Sequence, residues 1–253
     1  MQNSAKILKT AAYPIAVIAI VLVIWYCAAI AADSEFILPA PFATLDRLIA
    51  VLGEKRFWAA FGSTVARAIF AFSVSLAGAL VLALISYFFK PLGRLLSPLV
   101  SVLRALPTMA VVLLLVIWTG AKKAPVIVTL MVLLPTMYAA IAEALDNVDR
   151  DVLDMAKIDG ASRFILTFRF CLPLIAPLAS RSVAAAVSLG VKLTVAAEVL
   201  ASTAGSVGML MQLSRVYFEV ADLIALTILT VVAALILEKL VYSPLSLTFR
   251  SWK

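Results

Sequence analysis

The sequence contains no histidine, and only two of its 253 residues are cysteines, Cys27 and Cys171. Histidine is a common metal ligand and the usual general base near neutral pH, so its absence argues against most metal-dependent and acid–base enzymes. The two cysteines are far apart in apolar surroundings, which predicts neither a disulfide nor a metal site. We therefore expect no cofactor and no metal, and a protein that is not an enzyme.

Charged residues are also scarce, at 14% of the chain, whereas 64% of the residues are hydrophobic and the mean hydropathy is +1.12. Soluble domains hold about a quarter charged residues, so this composition indicates an integral membrane protein. A chain of this length accommodates about six helical spans. The net charge of +7 is typical of Lys and Arg retained on the cytoplasmic side and does not predict nucleic-acid binding.

Apolar runs of membrane-spanning length predict an all-α, polytopic protein with both termini inside. The predicted spans are residues 13–32, 63–89, 103–118, 125–142, 174–200 and 223–241. A short amphipathic helix is expected at about 43–53 on the outer surface, and a connector between the second and third spans. We expect one transmembrane domain over 1–253, with its core at 60–242 and a cytoplasmic loop at about 146–173.

That loop is the longest polar interruption in the C-terminal half. Residues 149–158 contain no Gly or Pro and predict a helix, Gly160 suits the position after its end, and Ser162 suits the cap of a second helix through Pro173. Such a helix–turn–helix offers a docking surface to a partner, although an ordinary charged loop explains the composition equally well. The chain has no Gly-x4-Gly-Lys-Ser/Thr phosphate loop, so any ATP-driven motor must be another polypeptide.

The loop resembles the EAA loop of ABC importer permeases, which reads Glu-Ala-Ala, three residues, Gly, nine residues, Ile-x-Leu-Pro. Asp154-Met155-Ala156, then Gly160, then nine residues and Phe170-Cys171-Leu172-Pro173 follow that pattern, with Asp for Glu and Met for the first Ala. The resemblance implies a type I (MetI-like) permease fold in the inner membrane. The residues that it assigns to ATPase coupling are Asp154, Ala156, Gly160, Ala161, Ser162, Leu172 and Pro173.

Further stretches resemble the nitrate, sulfonate and taurine branch of these permeases. They are the sequences FILPAPFATL at 36–45, LRALPTMA at 103–110, IWTG at 117–120 and KLTVAAE at 192–198. The resemblance implies partners: cytoplasmic ABC ATPase subunits, an extracytoplasmic substrate-binding protein and a second permease copy. Ser182-Val183-Ala184 stand where the branch usually carries Gly-Leu-Arg, which weakens any transfer of its substrate preference.

Charged groups within spans normally face protein or water, because burial in lipid is unfavourable. Arg181, Ser188 and Lys192 fall within about 40° on one helix face and form a polar stripe that suits an anion. Glu198 and Arg104 are further candidates for the translocation path. For Lys192 the alternative is a carboxylate partner on another helix; for Arg181, Arg104 and Arg67 it is anchoring at the membrane edge.

Gly205 and Gly208 resemble the Gly-Leu-Gly outer loop of the branch and are candidates for an outer gate, although a plain turn explains them nearly as well. The resemblance thus implies the permease subunit of an ATP-driven, binding-protein-dependent importer for a small, anionic solute. The alternative is a secondary transporter driven by an ion gradient, with Lys192, Glu198 and Asp222 as a relay.

Overall fold

The computed structural model describes residues 2–148 and 165–248 of the chain. Within those residues the secondary structure is helical, with no strand. The helices are α1 Gln2–Ala32, α2 Pro41–Gly53, α3 Lys55–Phe88, α4 Lys90–Ala105, α5 Thr108–Thr119, α6 Ala124–Asp146, α7 Leu172–Ala201, α8 Val207–Val216 and α9 Val220–Thr248. A π-helical turn, Leu166–Cys171, leads directly into α7.

Four of these helices are long and apolar enough to cross a membrane: α3, α6, α7 together with the end of the π-helical turn, and α9. The bent pair of α4 and α5 makes a fifth candidate span, and α1 carries a shorter apolar stretch at Ala16–Ala32. The all-α, polytopic fold class is therefore confirmed.

The third span differs from its prediction. The segment predicted to be a connector after the second span instead forms the helix α4, which meets α5 at an angle of 91°. Leu106 and Pro107 lie between the two helices in extended backbone, with ψ of 133° and 106°. A residue before proline is forced out of the helical region, which explains the break. With 12 residues, α5 is about 18 Å long and too short to cross a bilayer alone.

The structure divides into two compact units, of which the larger holds Ala59–Met209 and Thr230–Lys253. Its core centres on α6, where Leu133, Met137 and Ile141 are at most 2% exposed. Gly190 of α7 lies against Leu133, whose Cδ1 would be 3.0 Å from an added Cβ. Small residues that let helix backbones approach are typical of membrane helix packing. The pairing of α6 with α7 positions the charged groups described below.

The second unit comprises Met1–Trp58 and Leu210–Leu229. Here α2 confirms the predicted short helix, and it begins with a proline in its first turn, where no backbone N–H is needed for helix hydrogen bonds. The Trp25 indole N–H donates to the carbonyl of Pro39 over 3.1 Å, which ties α1 to the segment before α2. Arg47 of α2 forms a bidentate ion pair with Asp222 of α9, and this hydrogen bonding raises the pKa of Arg47.

Candidate functional site: charged groups within the spans

The predicted coupling residues Asp154, Ala156, Gly160, Ala161 and Ser162 lie outside the described residues. Leu172 and Pro173 open α7 directly after the π-helical turn, so the helix continues through this proline. In a regular α-helix the proline ring collides with the carbonyl four residues earlier. Here the Leu172 N–H donates to the carbonyl of Thr167, five residues earlier, so a wider π-helical turn lies directly before the Pro173 ring.

Glu198, near the end of α7, is fully buried and fully hydrogen-bonded. Arg67 of α3 donates from Nε to Glu198 Oε1 over 2.8 Å, and the Thr64 hydroxyl donates to Oε2 over 2.9 Å. The Gly208 N–H, at the start of α8, donates to the same Oε2 over 3.3 Å, while the Val207 N–H donates to Thr64. We call these five residues the Glu198 cluster. The carboxylate thus joins α3 to α7 and caps the Gly208 N–H of α8, while the Thr64 hydroxyl caps the N–H of Val207.

Gly208 is required at its position by packing. A Cβ added there would lie 2.3 Å from the Cβ of Glu198 and 2.6 Å from the backbone nitrogen of Val199. Gly205 behaves differently: its φ is +68°, nothing lies within 4 Å of its Cβ direction, and its carbonyl accepts from the Ser63 hydroxyl. Of the two glycines predicted for an outer gate, one therefore provides a close backbone contact and the other a left-handed turn.

The ion pair with Arg67 was not predicted, because its partners are 131 positions apart in the sequence. The sequence did carry half of the signal, since a carboxylate inside an apolar span requires a cation or a water-filled space. Arg67, interpreted from the sequence as a membrane-edge anchor, is instead a partner of Glu198, with 21% of its side chain exposed.

The three residues of the polar stripe predicted on α7 differ in exposure. Arg181 and Lys192 are exposed, whereas Ser188 is 3% exposed, and its hydroxyl has no hydrogen-bond partner among the described residues. Arg181 lies beside Tyr242 of α9. No carboxylate in the described part of the chain is within ion-pair distance of Lys192. The carboxylate partner that was the alternative for Lys192 is thus not present in those residues.

Arg104 lines a cavity of about 690 Å³ between α3, α4 and α6. Lys90 and Arg94 of α4 line the same cavity, and Lys90 lies 3.8 Å from Asp146 at the end of α6. The wall also includes the hydroxyls of Ser86 and Tyr138, which lie 3.2 Å apart. Arg104 is therefore one of three cations that share this space with one acid.

The fold and these groups define a class of protein, an α-helical polytopic membrane protein that keeps charged side chains inside its spans. Residues 75–243 match the family described as binding-protein-dependent transport system inner membrane component, and the chain belongs to that family. A probable ABC transporter permease protein of Brucella melitensis is 22% identical over 85% of this chain and 87% of its own length. The riboflavin transport system permease protein RibX of Chloroflexus aurantiacus is 26% identical over 81% of this chain and 79% of its own length.

Two solved structures show the same fold. A bacterial alginate ABC transporter, in complex with an alginate-bound periplasmic protein, matches with a TM-score of 0.68 at 14% identity over 98% of both chains. The MetNI methionine ABC transporter in inward-facing conformations matches with a TM-score of 0.58 at 17% identity, over 78% of this chain and 94% of that one. The predicted type I (MetI-like) fold is confirmed, and the protein is a multi-pass permease component of an ABC importer in the inner membrane. Nothing in these matches favours a secondary transporter.

Proposed function

We propose that this permease carries a small anionic solute such as nitrate, a sulfonate or taurine, and that Lys192 lines its path. The supporting observation is that Lys192 is exposed in the membrane-spanning part of α7. A cation facing lipid near the bilayer centre is unfavourable by about 2.5–3.5 kcal/mol on insertion scales, so the exposed side must meet water or protein. An aqueous path at this face gives Lys192 the role of a fixed counter-charge for an anion.

The other residues on the exposed side of α7 support this assignment. Ala185 and Ala196 are exposed on the same side as Lys192, so the middle of this face is small and polar, with the exposed Leu178 and Leu200 towards its two ends. The exposed residues of α9 include Val231, Leu235 and Leu240, as lipid contact requires. We infer that the α7 face meets the path and a second permease copy, whereas the α9 face meets lipid.

Glu198 does not cancel the charge of Lys192, because Arg67 already neutralises it. The exposed charges of α7 are therefore the cations Arg181 and Lys192. An electropositive path favours anions over cations of the same size. In this proposal Lys192 and Arg181 act along the path, while Glu198 positions the helices around it.

The deciding experiment is ATP-dependent uptake into proteoliposomes that contain the permease, its ATPase and its binding protein. We expect uptake of radiolabelled nitrate, an alkanesulfonate or taurine, and at least about a tenfold lower rate for Lys192→Gln, the factor that corresponds to one charge-assisted hydrogen bond. Lys122→Gln removes an equally exposed charge outside the spans and is the control. Uptake only of solutes without an anionic group, or full uptake of the anionic solute by Lys192→Gln, would refute the assignment.

Riboflavin is a second candidate solute, favoured by the 26% identity to the Chloroflexus permease named for riboflavin transport. It carries no charge that Lys192 would have to balance, so Lys192→Gln is expected to leave riboflavin uptake unchanged. The same proteoliposomes with radiolabelled riboflavin separate the two proposals.

We further propose that the loop at 146–173 couples the permease to a separate cytoplasmic ATPase. The support is the EAA-type spacing of Gly160 and Pro173 together with the family membership of the chain. Gly160→Arg is expected to abolish uptake because its side chain fills the space that a docked partner needs. Gly53→Arg is the matched control, since nothing lies within 4 Å of the Cβ direction of Gly53. Wild-type uptake with Gly160→Arg would refute the coupling assignment.

A further inference from the structure

The helix α4 carries a polar stripe that runs along its whole length. Lys90, Arg94, Ser97, Ser101 and Arg104 are spaced so that they fall within about 80° of one another on a helix with 100° per residue. All five line the cavity between α3, α4 and α6. The five side chains of the stripe are exposed, and together they line one open cleft on this side of α4.

The opposite flank of α4 is apolar and exposed. Leu95, Leu99 and Val102 are 70%, 53% and 59% exposed, and they lie about 120–180° from Lys90 around the helix. An amphipathic helix in a soluble protein buries its apolar residues and exposes its polar ones. Here the apolar flank suits lipid, and the water that solvates the polar stripe must occupy the cavity.

The charges in the cavity do not balance. Asp146 is the one acid among the lining residues, and it lies 3.8 Å from Lys90. Arg94 and Arg104 have no carboxylate within ion-pair distance in the described residues, which leaves the lining with an excess of two positive charges. Two guanidinium groups offer the planar, multiple donors that bind oxyanions.

The cavity has the size of a small-molecule binding site and one further hydroxyl donor. Its volume of about 690 Å³ lies inside the range of about 300–1,000 Å³ that is usual for small-molecule sites. The Ser97 hydroxyl on its wall supplies a neutral hydrogen bond beside the charged ones, whereas the hydroxyls of Ser101 and Tyr138 already donate to Ser97 and Ser86. Lys90 and Arg94 follow the second span on the side that the charge bias assigns to the cytoplasm.

We propose that this space is an oxyanion-binding vestibule at the inner end of the permease, in which Arg94 and Arg104, about 15 Å apart along α4, each offer a guanidinium to a phosphate-like or sulfonate-like group. The group belongs either to a free anion or to the headgroup of an anionic lipid that enters beside the apolar flank of α4. The inference rests on the proposed function only where the bound anion is taken to be cargo. Binding is measured without ATP or transport, so its failure leaves the uptake proposal intact.

The free-anion test is equilibrium dialysis of radiolabelled sulfate against the full chain in phosphatidylcholine nanodiscs. We expect saturable binding that the double substitution Arg94→Gln, Arg104→Gln weakens at least about tenfold, the equivalent of one charge-assisted hydrogen bond. Lys122→Gln with Lys123→Gln removes the same charge from an exposed loop and is expected to bind like the wild type.

A second variant guards against a folding defect in the double substitution. Asp146→Asn removes the acid from the cavity, and Asp146 is 69% exposed, so the change is tolerated. It is expected to strengthen sulfate binding severalfold. Weaker binding by Asp146→Asn, or equal loss of binding in the arginine and lysine double variants, overturns the free-anion form of the proposal.

The lipid source is tested by native mass spectrometry of the chain from nanodiscs that contain phosphatidylglycerol. Fewer retained phosphatidylglycerol molecules in the arginine double variant than in the lysine control, without sulfate binding, assign the site to a lipid headgroup. If the two variants retain equal phosphatidylglycerol and the wild type binds no sulfate, the vestibule does not bind oxyanions and the proposal is refuted.

Discussion

Gly208→Ala is the most direct test of the Glu198 cluster, because the new methyl group has no space. Its carbon would lie 2.3 Å from the Cβ of Glu198, 2.6 Å from the nitrogen of Val199 and 2.7 Å from the carbonyl carbon of Glu198. Two of these atoms belong to the backbone of α7 and cannot rotate away, so α8 must move. Overpacking of this kind destabilises by about 1–3 kcal/mol. Displacement also lengthens the Gly208–Glu198 hydrogen bond, whose charged acceptor adds about 1.5–3 kcal/mol.

The sum predicts a loss of about 2.5–6 kcal/mol in the free energy of unfolding. At about 2–4 °C per kcal/mol for a chain of this size, the apparent Tm falls by at least about 5 °C. The assay is the loss of the monodisperse size-exclusion peak after heating the protein in detergent. Gly62→Ala is the control, since Gly62 is a helical glycine with nothing within 4 Å of its Cβ direction. Its Tm is expected to be unchanged or slightly higher. If Gly208→Ala has the same Tm as Gly62→Ala, the close contact between α8 and α7 is refuted.

Two further predictions concern polar groups buried in the larger unit. Glu198→Gln leaves Arg67 without a counter-charge and is expected to destabilise the protein by about 3 kcal/mol. This is the low end for a broken buried pair, because 21% of the Arg67 side chain stays exposed. The double variant with Arg67→Gln should recover part of this loss, and strictly additive effects in thermal melts would contradict the pairing. Ser188→Ala removes a hydroxyl that lacks a hydrogen-bond partner among the described residues. It should leave the Tm unchanged or raise it by an amount equivalent to about 1 kcal/mol. A clear drop in Tm would show that the hydroxyl is hydrogen-bonded in the assembled protein.

The apolar spans were predictable because their signal is local. A run of apolar residues of bilayer length has one stable solution, a helix whose backbone groups bond internally. The bend between α4 and α5 also had a local signal in Leu106-Pro107 and in the helical spacing of the α4 stripe. The connector prediction missed that helix, since charged and proline-containing segments favour loops when read by composition.

Burial and pairing were not predictable, because they depend on helices distant in sequence. Ser188 lies only about 20° from Arg181 on the helical wheel, yet one is buried and the other exposed. A short serine side chain cannot reach beyond the contact edge, whereas arginine and lysine extend past it. In the same way, the sequence showed that Glu198 needs a partner but did not say that Arg67 supplies it. Such choices are made by the packing of α3 and α7.

The division of charge on α7 decides which residues an uptake assay can report on. Glu198 is buried and holds three donors, so its substitution changes stability and, through displaced helices, every rate of transport. Lys192 is exposed and has no ion-pair partner among the described residues, so its substitution is expected to change the electrostatic field in the proposed path at little cost in stability. A loss of uptake with an unchanged Tm therefore indicates a path residue, and a loss of both indicates a structural one. Lys192→Gln is expected to lower uptake with an unchanged Tm, whereas Glu198→Gln is expected to lower both.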